Sequence, residues 1–140
     1  RPGYTFGNPA FHDGCTQPDR RFAEMALAIK NGTDIRIVKN DGTQFIHASQ
    51  QAELYLKLLE SDYNEEVFLG LSPTWISWKS IAEKMLALRP ESKSKIVETD
   101  LGWSDKPMLY SVEKISRCFN LSFDNRSFMD EHIKYWIEHV

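Results

Sequence analysis

The chain has 140 residues, 41% of them hydrophobic and 26% charged, the size and composition of one globular domain with apolar surface enough for its own core. Four Trp and eight Phe exclude intrinsic disorder, and no apolar run approaches the roughly 18 residues of a membrane helix. A net charge of −3, from 17 basic and 20 acidic residues, argues against nucleic acid or an anionic membrane as a partner. No basic, apolar, small-residue leader opens the chain, so the cytoplasm is the expected compartment.

Arg1 to Gly7 read as the end of a strand running into a Gly/Asn/Pro loop, with no lead-in before it. Such a start predicts a chain that begins inside a larger fold. Pro18 and Asp19 open a helix, Phe22, Met25, Ala26 and Ile29 form its apolar face, and Asn31-Gly32 ends it. Ile35–Val38 is a short strand, Asn40–Thr43 a turn, and Phe45–His47 a second extended piece. Ser49 is the expected cap of a helix that points Leu54, Leu58, Tyr55 and Leu59 inward. The apolar run Val67–Leu71 suits a strand buried on both faces. Ser77 caps a helix with the stripe Ile81, Met85 and Leu88, which stops before Pro90. Lys95–Glu98 is a strand, and residues 99–109 are irregular. Ser111 caps a short helix to about Cys118, and Ser127–Asp130 resembles a capping box for a last helix with Met129, Ile133, Trp136 and Ile137 inward. Helices and strands alternate, which favours an α/β fold.

The chemistry is sparse. Cys15 and Cys118 are far apart, with no Cys-x-x-Cys, so free thiols are expected and a zinc site is not. Asn31, Asn120 and Asn125 begin Asn-x-Ser/Thr triplets, which read as chance matches or as helix-end and turn residues. His132 and His139, seven apart on the last helix, read as a solvated polar face rather than metal ligands. His47 ends a strand, a place where α/β proteins put function, but it equally suits a histidine bonded to a loop. His12-Asp13 is a weak acid–base pair, because adjacent side chains point apart. Trp75 and Trp78 read as packing residues before ligand-stacking ones. Arg20 and Arg21 stand near a helix start, as anion ligands or as solvated arginines. No phosphate loop, dinucleotide fingerprint or nucleophile elbow is present.

The order of pieces carries a resemblance. Arg1-Pro2-Gly3-Tyr4-Thr5-Phe6-Gly7-Asn8-Pro9 resembles the Arg-x-x-Asn-x-Tyr-Gly-Pro strand-loop of the extended short-chain dehydrogenase/reductases, the NAD-dependent epimerases and dehydratases of nucleotide sugars. Asp41 to Ser49 is similar to that family's Gly-x-x-Arg-Asp-Phe-Ile-His-Val-x-Asp. The Val67 run, the Ser77 helix, and Tyr110-Ser111-Val112-Glu113-Lys114 through Leu121 match the last third of the family in order and spacing.

The resemblance implies a C-terminal portion with the last Rossmann strands, a small α/β substrate-binding domain and an incomplete sheet. Residues 1–140 would be one unit, and the N-terminal NAD-binding half is absent. The Gly-rich loop and the catalytic Tyr-x-x-x-Lys belong to that half, and the Tyr110–Lys114 spacing lies at the wrong place in the family order. No catalytic residue and no metal ligand is therefore expected here. By position, Pro2 and Gly3 would lie near the nicotinamide side of NAD or NADP, a cofactor of the parent enzyme that this chain alone would not hold. Tyr4 stands where the family has a substrate-contacting Asn, Thr43 where an Arg holds the diphosphate, and Asp105 where an Asp contacts the ribose. Arg20, Arg21 or Arg36 would have to replace the absent diphosphate arginines, or the substrate carries no nucleoside diphosphate. The implied partner is a sugar or nucleotide-sugar, with a homo-oligomer expected through an exposed sheet edge. The competing reading is a stand-alone, non-catalytic domain that binds a ligand or a protein.

Overall fold

In the computed structural model, which describes residues 1–10 and 19–140, the centre is the strand β3, Gly42–His47. It pairs in parallel with β1, Tyr4–Phe6, and antiparallel with β4, Trp75–Ser77, with Tyr4 opposite Phe45 and Gly42 opposite Ser77. Consecutive side chains of a strand point to opposite faces. Phe45 accordingly enters one apolar cluster and Ile46 another, and neither has any exposed surface. Burial on both faces fixes the register, because slipping one residue would exchange the two side chains between cores of different shape. A second pair, β2 (Ile35–Val38) and β5 (Ile96–Thr99), is parallel and separate. The α/β class holds, but the expected single sheet is two small ones among the described residues.

Three helices cover the Phe45 face and touch one another: α1 (Arg21–Asn31), α3 (Trp78–Ala87) and α5 (Arg126–His139). Their apolar positions recur at three and four, as in Trp78, Ile81, Ala82 and Met85 of α3. Gly32 ends α1 in the left-handed region at φ 67°, with its N–H directed at the Ala28 and Ile29 carbonyls. Ser77 Oγ accepts the Ser80 N–H at 3.1 Å and starts α3. The other face carries α2 (Ala48–Leu59) and α4 (Glu113–Phe119) over Ile46, Leu54, Phe68, Ile115 and Phe123. Asn31, Asn120 and Asn125 each stand at a helix end, as read. Cys118 is a free thiol, whereas His12, Asp13, Cys15 and Pro18 lie outside the described residues.

Several expectations are corrected. Val67–Leu71 forms only one bridge, Gly70 beside Pro2, and Val67 is exposed. Capping of α2 falls to His47, not Ser49: the extended backbone of His47 lets its Nδ1 accept the Ser49 N–H at 3.3 Å, while Gln50 Oε1 accepts the His47 N–H. Ser127 lies within α5, which begins at Arg126 and has no side-chain cap; α4 begins at Glu113, where Ser111 Oγ accepts the Glu113 N–H without being its cap residue. Tyr55, Leu59 and Leu88 face outward, because α2 and α3 bury only a narrow stripe. Residues 75–77, expected only as a helix approach, form β4.

The largest correction concerns His132, which is 1% exposed. Its Nδ1 bonds Asn8 Oδ1 at 2.7 Å, and its Nε2 accepts the Trp136 indole N–H at 3.1 Å. Both bonds suit a neutral ring protonated at Nδ1. Burial, with His47 nearby, pulls its pKa down to about 4. His139 keeps an exposed place at the end of α5, stacked on Tyr135.

Candidate functional site

The approach to β1 determines where a pocket forms. Gly3 N–H donates to the Gly70 carbonyl and Gly70 N–H to the Arg1 carbonyl, both at 2.9 Å, so residues 1–3 lie alongside the 69–71 segment. Such closeness needs residues without Cβ: one on Gly3 would overlap the Leu71 side chain, and one on Gly70 would overlap the Gln51 amide. The start of β3 is equally tight, since a Cβ on Gly42 would come 2.5 Å from the Ile76 carbonyl oxygen.

Between these backbones lies a cavity of about 290 Å³. Pro2, Gly3 and Tyr4 line it from β1 and its approach, Thr43 and Gln44 from β3, Trp75 from β4, and Met108 and Tyr110 from the segment before α4. Gln44 is buried and fully used. Its Nε2 donates to the Ser72 and Tyr110 carbonyls, at 3.0 and 3.1 Å, and its Oε1 accepts the Tyr110 N–H at 2.7 Å. The amide thereby holds Tyr110 as a neighbouring strand would.

Tyr4 also reaches a polar network on its other side. Burial first, then the charge of Asp19 and a hydrogen bond to it, pushes the Tyr4 phenol well above the ordinary range. The phenol is therefore neutral near pH 7 and donates to Asp19. Burial acts to raise the Asp19 carboxyl, but the Arg21 hydrogen bonds outweigh it and hold the group below the usual carboxylate range. Arg21 pairs with Asp19 at 2.5 Å and with Asp41 at 3.2 Å, and its guanidinium lies 3.9 Å from the Trp78 ring centre.

The residues expected at a site divide accordingly. Pro2, Gly3, Tyr4 and Thr43 share the cavity, although about forty residues separate Thr43 from the rest. Asp105 is exposed and does not line it. Arg20 is exposed at the start of α1. Arg21 and Arg36 line a different cavity, between α1 and β2, and the charge of Arg21 is already met by two carboxylates. Trp78 is core, as read, whereas Trp75 and Tyr110 belong to the pocket wall. Lys114 donates to Glu66 Oε2 at 2.6 Å and to the Val67 carbonyl at 2.8 Å. His47 caps α2 and stacks on Phe128 with ring centres 4.1 Å apart, which favours its structural role. Burial lowers its pKa. Gln44 was the residue that sequence did not point to, and its only signal was a glutamine at an inward position of a strand.

No group of three His, Cys, Asp or Glu able to hold a metal occurs among the described residues. The N-termini of α2 and α3 are closed by His47, Gln50 and Ser77, whereas those of α1, α4 and α5 carry no side-chain cap. The hollows at Gly3 and Gly70 are filled by the chain's own Leu71 and Gln51. Among the described residues, no helix is long and apolar enough to cross a membrane.

No protein-family model matches the chain, and no curated protein matches it in sequence. Solved structures do match in fold. One is RMD from Pseudomonas aeruginosa complexed with NADPH, with TM-score 0.71 and 13% identity over 100% of this chain and 48% of that one. Another is dTDP-glucose 4,6-dehydratase from Bacillus anthracis in complex with NAD, with TM-score 0.70 and 12% identity over 99% of this chain and 44% of that one. A third is UDP-N-acetylglucosamine 4-epimerase from Methanobrevibacter ruminantium in complex with UDP-N-acetylmuramic acid, with TM-score 0.64 and 19% identity over 100% and 46%. At these identities the likeness is one of fold. The chain spans less than half the length of each of these proteins.

Proposed function

We propose that this chain is the C-terminal, substrate-binding portion of an NAD(P)-dependent sugar or nucleotide-sugar epimerase/dehydratase-like enzyme. The observation that carries the reading is the convergence of Pro2, Gly3, Tyr4 and Thr43 on one cavity. Those four positions come from two separate motifs of the resemblance, and the parallel pairing of β1 with β3, Tyr4 opposite Phe45, brings them together. A fold match over the whole chain but under half of each relative supports the same view.

In this reading the nicotinamide, held mainly by the N-terminal half, supplies hydride transfer, and that half also supplies the tyrosine base with its lysine. The present residues bind and orient. Thr43 offers a hydroxyl, Tyr110 and Trp75 offer faces, and Pro2 and Gly3 lie on the cofactor side. Tyr4 is no general base near pH 7, because its proton is held toward Asp19. Asp105 and Arg20, outside the cavity, would contribute only on closure of the exposed 100–110 segment or of the α1 start. β1 stands at the end of its sheet, so its outer edge is where further strands or a second copy would pair.

The test is hydride transfer, followed by nicotinamide absorbance in the intact parent protein with sugar and nucleotide-sugar substrates. Turnover that falls at least about tenfold on filling the pocket with Thr43→Trp, in a variant that melts as the parent protein does, supports the assignment. Turnover indifferent to that substitution, in a folded variant, overturns it.

A further inference from the structure

We infer, on the reading of this chain as one portion of a longer enzyme, that the outward apolar side of α2 is the seat of a helix from the N-terminal half.

Successive residues of a helix are turned about 100° from one another. On that wheel α2 buries Gln50, Gln51 and Leu54, and half-buries Leu58 beside them. Its charges, Glu53 and Lys57, with Glu60 at the cap, share one narrow face. The rest of its surface carries Ala52, Tyr55, Leu56 and Leu59, three and four apart, and all four are exposed, Leu56 at 60% and Leu59 at 82%. A helix that packs on one side and meets water on the other has a single apolar stripe and a polar remainder. α3 fits that rule, for it turns Lys79, Glu83 and Lys84 outward. α2 breaks it, with leucines on its inner and outer sides alike. Such a helix is made to be packed on both.

The place of α2 in the fold indicates what covers it. α2 touches β1 and β3, which are parallel, and β1 is the end strand of its sheet. Further strands laid parallel to β1 need crossover connections, which are usually helices lying on a face of the sheet. A crossover on the α2 side would lie beside α2, at the roughly 8–10 Å spacing of packed helices, and would take the leucines from water. The chain to supply it is present in the fold relatives. RMD and dTDP-glucose 4,6-dehydratase are matched over 44–48% of their length by all or nearly all of this chain, so each carries about as much chain again. The covering helix should present an apolar stripe to Leu56 and Leu59 and keep its charges off that contact.

The test is maleimide labelling of the intact parent protein, with a cysteine placed by Leu59→Cys or, on the charged face of the same helix, by Lys57→Cys, each read by mass against the unsubstituted protein. Leu59→Cys should label at least about tenfold more slowly than Lys57→Cys. Hydroxyl-radical oxidation of the unaltered parent makes the same comparison without substitution: Leu56 and Leu59 should be protected, and Leu88, exposed at the end of α3, should be oxidised. Equal labelling of the two cysteines, or free oxidation of Leu56 and Leu59, overturns the inference and leaves the functional reading to its own test by hydride transfer. Protection that vanishes on dilution to the monomer means that a second copy covers α2, and overturns it as well. A natural protein no longer than this chain would remove the functional reading and the inference together.

Discussion

Gln44 and Tyr110, 66 residues apart, exchange two hydrogen bonds: the Tyr110 N–H donates to Gln44 Oε1 at 2.7 Å, and Gln44 Nε2 donates to the Tyr110 carbonyl at 3.1 Å. A side-chain amide thus does for Tyr110 what a paired strand would do. The exposed 100–110 segment has few other anchors, among them the Asn40 side chain bonded to the Trp103 carbonyl. Gln44→Leu keeps the volume and leaves the Tyr110 and Ser72 groups without their partner. Stability should fall by about 1–3 kcal/mol in urea unfolding. Exchange of the Tyr110 amide should rise by more than the global loss explains, because the wall loosens locally. Equal exchange at Tyr110 in both proteins would mean that Gln44 does not hold it.

Acid stability should follow His132. Its folded pKa, about 4, lies below the ordinary histidine value of 6.5, so the unfolded chain binds the proton more readily. The contribution is complete above about pH 6.5 and is lost as pH falls toward 4, reaching at most roughly 3 kcal/mol. His47, also lowered by burial, acts in the same direction. Urea unfolding between pH 7 and 4 should show this decline, and His132→Gln should flatten much of it. An unchanged slope in that variant would assign the acid sensitivity elsewhere.

Truncating the residue at the centre of the larger core should cost more than either change. Phe45 is fully buried, with edge-on ring contacts to Tyr4 and Trp78 at 4.7 and 5.3 Å between centres. Phe45→Ala should destabilise by about 3–5 kcal/mol. A loss under about 1 kcal/mol by thermal or urea melting would contradict the packing described.

Arg21 should matter to stability and little to the pocket. Its ion pairs are partly exposed and worth about 0–1 kcal/mol each, with a similar amount from the Trp78 stack. Arg21→Gln should therefore cost about 1–2 kcal/mol and leave binding at the Tyr110 pocket unchanged. Lost binding with an intact fold would restore Arg21 to the ligand.

How legible all this was differs by element. Helices α1 and α3 were readable because their signals are local: apolar residues three and four apart, Gly32 after one and Ser77 before the other. Strand β4 was not, since three residues share their last, Ser77, with a helix cap. The Val67 run misled because apolarity is necessary for a buried strand but does not specify a partner. His132 was read by residue type, whereas its burial rests on Asn8, 124 residues away, and on Trp136. Pro2, Gly3, Tyr4 and Thr43 were found through resemblance. Gln44 was not singled out, and Trp75 and Tyr110 were named without being placed at this cavity, because the three meet only through pairings distant in sequence.

The central claim is that this chain is the substrate-binding part of a larger NAD(P)-dependent enzyme. Mass spectrometry of the protein isolated from its natural source tests it most directly, first denatured and then native. The account predicts a denatured mass about twice the 16.3 kDa of this chain, in keeping with coverage of 44–48% of two of the matched structures, and a native adduct of dinucleotide mass. A denatured mass equal to this chain alone, with no adduct, would contradict it and leave a separate binding domain.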